Sequence, residues 1–553
     1  MLRMMLTCLL CAVSAPSLAA EVQLLTAARI HTSDPQRPQA EAMAWDATGR
    51  VLDVGDAKTL IARYPQARRI DAGDATVIPG LIDAHGHLME LGYALTRVDL
   101  VGSKDKADVL ARLQAYEKTL ATGTWLLGGG WDQNDWPERT FPTTADLDRA
   151  FPDRPVWLDR IDGHAGWANS AAMRAVERKH KALRGDWQPD GGRILRQDGK
   201  ATGIFVDEAM ELVRAVVPPP DAVFRERALQ RALALAARNG LTGVHDMATM
   251  REDLALYRRF ADDGRLTLRV DVYADGRRDA LADLCKDGLY RHSGGRLQVR
   301  GVKLYVDGAL GSRGAALLDD YSDEPGNRGL LVTEPKAFEA AVRKAKDCGA
   351  QVATHAIGDR GNLIALDTYA RVLGDDKASD HRWRIEHAQI VALNDIPRFA
   401  QLGVIASMQP THATSDMPWA GDRVGEARLA GAYAWRRLLD SGTRLALGSD
   451  FPVESVDPRL GLYAAVTRQD RDGHPPGGWL PGQRLTAAEA LRGFTADAAW
   501  AGRDEAEVGK LAPGLRADFL VLADDPLAVP AAQLDDLTIR STWVDGKAVY
   551  EAK

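Results

Sequence analysis

The segment Val77–Leu88, "VIPGLIDAHGHL", begins apolar and ends on His85-Gly86-His87. In a strand, residues two apart face the same side, so both imidazoles project together. Side by side they repel when both are charged, and neither needs the other for packing. Two readings follow: a cation held between them, or a histidine pair that caps a strand by hydrogen bonding to loops. The rest of the chain has to choose.

Seven more segments read as strands: "LTGVHDMAT" (241–249), "TLRVDVYAD" (267–275), "RGVKLYVDG" (300–308), "QVATHAIGD" (351–359), "WRIEHAQI" (383–390), "VIASMQPTHA" (404–413) and "RLALGSDFPV" (444–453). Helical patterns fill several gaps, such as "FRERALQRALALAARNG" and "EPKAFEAAVRKAKDCG". Gly240 and Gly349 stand where a left-handed C-terminal cap belongs. Eight strands alternating with helices predict an α/β fold, a (β/α)8 TIM barrel over residues 79–505. Short strands with turn residues at both chain ends, 21–78 and 506–553, predict a small composite β-sandwich domain. One gap breaks the alternation. Residues of about 100–220, rich in Trp, Gly and Asp, are too long and too patterned for a loop and are read as an insertion subdomain over the barrel mouth.

Bulk properties bound the function. Of 553 residues, 45% are hydrophobic and 27% charged, an ordinary globular composition, and the formal net charge is −7. That sign argues against a nucleic-acid partner or a polybasic membrane surface. Residues 1–20, "MLRMMLTCLLCAVSAPSLAA", have a basic start, an apolar centre and small residues at the end. This is the layout of a cleavable signal peptide, too short to span a bilayer, so a periplasmic or secreted protein without stable membrane insertion is expected. A lipid anchor on Cys11 fits poorly because bulky Leu10 precedes it. After cleavage Cys285 and Cys348 remain; they can pair in an oxidising compartment but make no disulfide framework. A small-molecule substrate is the expected partner, and a homo-oligomer is left open.

The strand ends carry the chemistry. The first ends in His85 and His87, the fourth holds Lys303, the fifth His355, the sixth His387 and the eighth Asp450. In a parallel barrel all carboxyl ends converge on one face, so these distant residues meet there. Each has a bland reading: a lone histidine is often a hydrogen-bonded core residue, and Asp before Phe-Pro often forms a turn. Lys303 within a strand is odder, since a buried ammonium is costly unless paired. Six such coincidences in strand order favour a divalent ion, zinc among others.

"PGLIDAHGH", "VKLY", "THAIGD", "RIEHAQ", "LGSDFP" and the terminal "GKLAPGLRADFLVL" together resemble the amidohydrolase superfamily. "GGGWDQNDWPE", "DGHAGWANS", "GVKLYVDGALGSRGAAL" and "ASMQPTHATSD" resemble its YtcJ-like subgroup, which includes N-substituted formamide deformylases. The resemblance runs from about Val22 to the C-terminus. It implies a barrel with two divalent metal ions, zinc or another, and a metal-dependent hydrolase of carbon–nitrogen bonds other than peptide bonds. Carried over by position, His85 and His87 bind the more buried ion and His355 and His387 the second. Lys303 bridges them as a CO2-derived carbamate, and Asp450 ligates and takes a proton from the bridging water. Coordination lowers the pKa of water from about 15.7 to near 7, which makes direct attack feasible. No G-x-S-x-G elbow or P-loop is present. For substrate contact the candidates are His164, His412, His245, Arg313, Trp131 and Asp132, with structural roles left open for the histidines. Asp359 is read as orienting a ligand histidine. Rival readings are a mononuclear deaminase, which does not need Lys303, a cyclic-amide hydrolase, and a barrel kept only for binding.

Overall fold

The computed structural model describes residues 22–552 apart from 161–164, 181–182, 184, 190–191 and 277–278. The expected signal segment 1–20 and the candidate His164 lie outside the described residues.

Eight parallel strands follow one another in chain order: β1 (Leu81–Gly86), β2 (Leu241–Thr249), β3 (Arg269–Asp275), β4 (Leu297–Tyr305), β5 (Gln351–Ala356), β6 (Arg384–His387), β7 (Ile405–Met408) and β8 (Leu445–Leu447). Each pairs with the next. Among the described residues no ladder joins β8 to β1, and the seam has an isolated parallel bridge between Gly86 and Phe451. There the barrel is clasped at its carboxyl end: the Asp450 N–H donates to the His85 carbonyl (2.7 Å) and the His87 N–H to the Phe451 carbonyl (2.8 Å). Asp450 has φ +64°, a conformation that Asp tolerates better than most residues, and this turns its carboxylate back over the strand ends.

Alternation sorts the strand residues. Val244, Val270, Val272, Val302, Leu304, Val352 and Ile385 join the apolar layer beneath the helices. The opposite face of the same strands carries Asp83, His245, Asp271, Gln298, Arg384 and Glu386, all buried. Buried polar groups on this scale persist only when hydrogen-bonded to one another. They are, as described below.

Helix α1 (Leu88–Thr96) leaves directly from His87. Helix α2 (Ala222–Arg238) starts at Asp221, whose carboxylate accepts the Phe224 N–H (2.7 Å), and α3 (Pro335–Asp347) precedes β5. The chain leaves α2 and α3 through Gly240 (φ +83°) and Gly349 (φ +73°), as the sequence predicts. The predicted first strand is in fact two. Thr76–Pro79 belongs to a different sheet, and the break falls at Gly80, where any Cβ would overlap Thr242.

That other sheet gathers both chain ends. In order it holds Lys547–Glu551, Ile539–Val544, Phe519–Leu522, Thr76–Pro79, Gln23–His31, Gln39–Trp45 and Val51–Gly55. Phe519 stacks on Trp543 (5.2 Å between centroids), with Trp45 edge-on to both. A six-stranded sheet from Val98 to Asp207 occupies the interval between β1 and β2 and has its own apolar core. Cys285 and Cys348 are disulfide-bonded, with Cα atoms 5.2 Å apart.

A buried guanidinium ties the terminal sheet to the barrel. Arg269 donates to Asp518 through Nε (2.6 Å) and Nη2 (2.9 Å). Burial opposes its charge, but Asp518 and Asp545 outweigh it and hold the proton more firmly than usual. Asp545 also has Arg296 and Arg516, each at 2.8 Å, so removing Arg269 leaves the Asp518 carboxylate the Asp545 N–H (2.8 Å) but takes away its guanidinium. Arg269→Ala is expected to lower unfolding free energy in urea by about 3–5 kcal/mol, the cost of a buried charge left unpaired. A loss below about 0.5 kcal/mol, the usual size of a surface effect, would contradict this.

Candidate metal centre

His85 is fully buried, and its Nδ1 donates to the Glu386 carboxylate (2.6 Å). His87 Nδ1 donates to the Met247 carbonyl (2.9 Å), and His387 Nδ1 to Gln409 Oε1 (2.8 Å). In His85 and His387 the proton therefore sits on Nδ1, and Nε2 keeps a lone pair; His87, bonded to the Met247 carbonyl at Nδ1 and to Asp450 at Nε2, carries a proton on both nitrogens until a cation displaces the one on Nε2. Those Nε2 atoms converge. His87 Nε2 is 2.9 Å and His85 Nε2 3.4 Å from Asp450 Oδ1, while Lys303 Nζ is 3.2 Å from His85 Nε2. An oxygen acceptor behind each imidazole, with Nε2 presented forward, is how proteins prepare histidine to ligate metal.

Two candidate metal groups result, His85/His87/Asp450 and His387/His412/Asp450, each with ligand atoms within 4.8 Å of one another. His355 joins through ring contact with His387 (centroids 4.6 Å apart). Its Nε2 lies 3.4 Å from the Gly308 carbonyl, which leaves Nδ1 as its open atom.

The electrostatics agree with this donor set. Burial, then Lys303, pushes His85 down to about 4 and His355 to about 3. Burial and the neighbouring His355 hold His387 well below the ordinary histidine value. These rings are neutral, the form that binds metal. Burial works against ionised Asp450, but His85 and His87 outweigh it and keep the carboxylate ionised. Burial also opposes a charge on His87, yet Asp450 pushes it up to about 9. A proton and a cation compete for that Nε2.

Arg384 anchors the floor of this cup. It donates to Glu386, to His245 Nδ1 (2.7 Å), to the Ala84 carbonyl and to Ser407 Oγ. Burial disfavours ionised Glu386, but Arg384 and then His85 hold it far below the usual carboxylate range. On the β8 side, Asp83 accepts from Ser449 Oγ (2.6 Å) and the His85 N–H (3.0 Å).

Some expected substrate residues are placed elsewhere. His245 lies inside the barrel between Arg384 and Asp271 (3.5 Å), so it supports the floor. Trp131 is fully buried among Trp136 and Trp167 and donates to the Leu158 carbonyl (2.8 Å). A register shift after Gly129 turns it into that core. Asp132 pairs with Arg160 (2.6 Å), and Arg313 with Asp323 (2.9 Å). Asp359 accepts the N–H groups of Leu318 (2.8 Å) and Arg360 (2.9 Å), and among the described residues no histidine is hydrogen-bonded to it. The carboxylate behind a candidate ligand is Glu386. Asp307 lies 3.7 Å from His355 and binds the Ile357 (3.0 Å) and Gly358 (2.8 Å) amides. His412 does reach the cluster, 3.7 Å from Asp450 Oδ2.

A parallel eight-stranded barrel with clustered histidines and a carboxylate at its strand ends defines a metal-dependent hydrolase. The model of the amidohydrolase family matches residues 68–550, and the chain belongs to that family. It is 33% identical over 519 residues to the amidohydrolase YtcJ of Bacillus subtilis, covering 91% of this chain and 94% of that one. It is 29% identical over 552 residues to an N-substituted formamide deformylase of Arthrobacter pascens, covering 95% and 97%. A crystal structure of a metal-dependent hydrolase from Pyrococcus horikoshii superposes with a TM-score of 0.78 at 29% identity, over 92% of this chain and 99% of that one.

Proposed function

We propose that the protein hydrolyses an amide- or formamide-type carbon–nitrogen bond of a small organic substrate. The observation that carries this reading is the set of buried imidazoles, each backed by an oxygen acceptor at Nδ1, whose Nε2 atoms turn towards one ionised carboxylate. The likeness to a formamide deformylase supports the bond type.

In this reading His85 and His87 hold one divalent ion, zinc by preference, and His355 and His387 a second. Lys303, buried beside His85 Nε2, would join this donor set as a carbamate formed from its neutral amine and CO2. The chemistry such ions would supply is activation of water and polarisation of the substrate carbonyl. Asp450 accepts the proton from the attacking water and passes it to the departing nitrogen. His412 accepts from Gln389 Nε2 (3.2 Å) at Nδ1, so its Nε2 carries the proton and has no hydrogen-bond partner among the described residues. That N–H is placed to donate to the carbonyl oxygen as it gains charge.

The test is a screen of the purified protein against N-formyl and N-acyl amines, with elemental analysis of the same sample. Two ions per chain, activity abolished by chelation and restored by zinc, and a CO2 adduct at Lys303 are expected. Full activity with one ion and unmodified Lys303 would instead assign the hydrolysis to a mononuclear centre, and one ion with no amide hydrolysis would favour a mononuclear deaminase.

We also propose a periplasmic or secreted location. The signal-like residues 1–20 support it, as does the Cys285–Cys348 disulfide, a bond at home in oxidising compartments. The disulfide closes a span of 63 residues. Cys285→Ser should cost about 2–4 kcal/mol of stability, and reduction should lower the thermal midpoint of the wild type but not of the variant.

A further inference from the structure

A cavity of about 810 Å³ lies among the sheet between β1 and β2, the end of α1 and the start of α2. None of its lining residues belongs to the candidate metal centre. Its walls are aromatic and apolar: Tyr116, Trp125, Trp157, Phe224 and the run Pro218–Pro220. Its charged groups are unequal. Asp159 accepts from Trp157 Nε1 (3.2 Å) and Arg214 Nη2 (3.2 Å), and Asp221 caps α2. Arg214 also has Glu211 (2.9 Å). Arg97 has nothing comparable. Its guanidinium lies 5.9 Å from the Tyr93 ring centroid, and its Nε is buried with no hydrogen-bond partner. Among the described residues no carboxylate forms an ion pair with it.

We propose that this cavity binds a small carboxylate with an aromatic body, its anionic end on Arg97 and its ring against Trp125, Trp157 and Phe224. An arginine fork matches a carboxylate geometrically, and a buried unpaired donor is expensive until an acceptor arrives. The aromatic walls supply area for a flat apolar group. The proposal is independent of the hydrolase reading: α1 separates Arg97 from His87 by nine residues, about 13 Å of helix.

The experiment is isothermal titration of the purified protein with 3-phenylpropionate and its neutral analogue 3-phenylpropanol. The carboxylate should bind saturably, roughly tenfold or more tighter than the alcohol, as a half-buried charge-assisted pair allows. Arg97→Gln should abolish that preference and Arg97→Lys retain part of it. Thr122→Trp, an exposed substitution that fills the cavity, should weaken both probes and serves should Arg97→Gln not fold. Binding should persist after chelation in protein that keeps its circular dichroism spectrum. No saturable binding, equal affinity for the alcohol, unaltered binding in a folded Arg97→Gln or in Thr122→Trp, or binding lost with the metal would each overturn the proposal.

Discussion

Asp450→Asn should lower kcat/KM by roughly 10²- to 10⁴-fold, the range of a lost general base, with the fold intact. Asn suits the test because it tolerates a positive φ as well as Asp does, so the turn at +64° survives. The backbone bond from residue 450 to the His85 carbonyl is also untouched. What disappears is the negative charge facing His87 and His85, at 2.9 and 3.4 Å. Metal content is measured on the same sample, because a deficit there separates lost ligation from lost proton transfer. Turnover equal to wild type in a fully loaded variant would remove Asp450 from the mechanism.

Glu386→Gln carries the second large expectation: metal affinity reduced about 10- to 100-fold, as for other partners that orient ligand histidines. The carboxylate now fixes the His85 proton on Nδ1 and neutralises Arg384. A neutral amide does neither reliably, since its NH2 group can face the ring and demand the other tautomer. It also leaves the Arg384 guanidinium buried without its anion, so stability should fall by about 3–5 kcal/mol. Competition with a chromophoric chelator reads the first effect and urea denaturation of metal-free protein the second. Affinity within twofold of wild type would mean that Glu386 serves the floor of the barrel alone.

The sequence makes the strand ends legible because period-two alternation and convergence at a barrel mouth are strong constraints. His85, His87, Lys303, His387 and Asp450 are drawn together as those constraints require, with His355 against His387. Glu386 escapes the same reasoning. Next to His387 in sequence, it ought to face away from the site, yet it faces inward with Arg384. His387 itself departs from the pattern, at φ +73°, and swings up to the mouth. No pattern of residue types announces that turn. The polar and aromatic residues around the motifs are hard to place for a different reason. Trp131, Asp132, Arg313 and Asp359 have the chemistry of a binding site, but neighbours distant in sequence absorb it: an indole core, Arg160, Asp323 and the Leu318 amide. Composition cannot distinguish a group facing a ligand from one facing its own chain.

The clasp between β8 and β1 has a consequence for biogenesis. Its halves are translated far apart: His87 leaves the ribosome 363 positions ahead of Asp450, an interval of roughly 20–70 s at ordinary elongation rates. During that time the first histidines have neither their carboxylate nor a finished wall beside them. A nascent fragment cannot trap an ion in the geometry of the mature cup, so correct loading must await release of nearly the whole polypeptide.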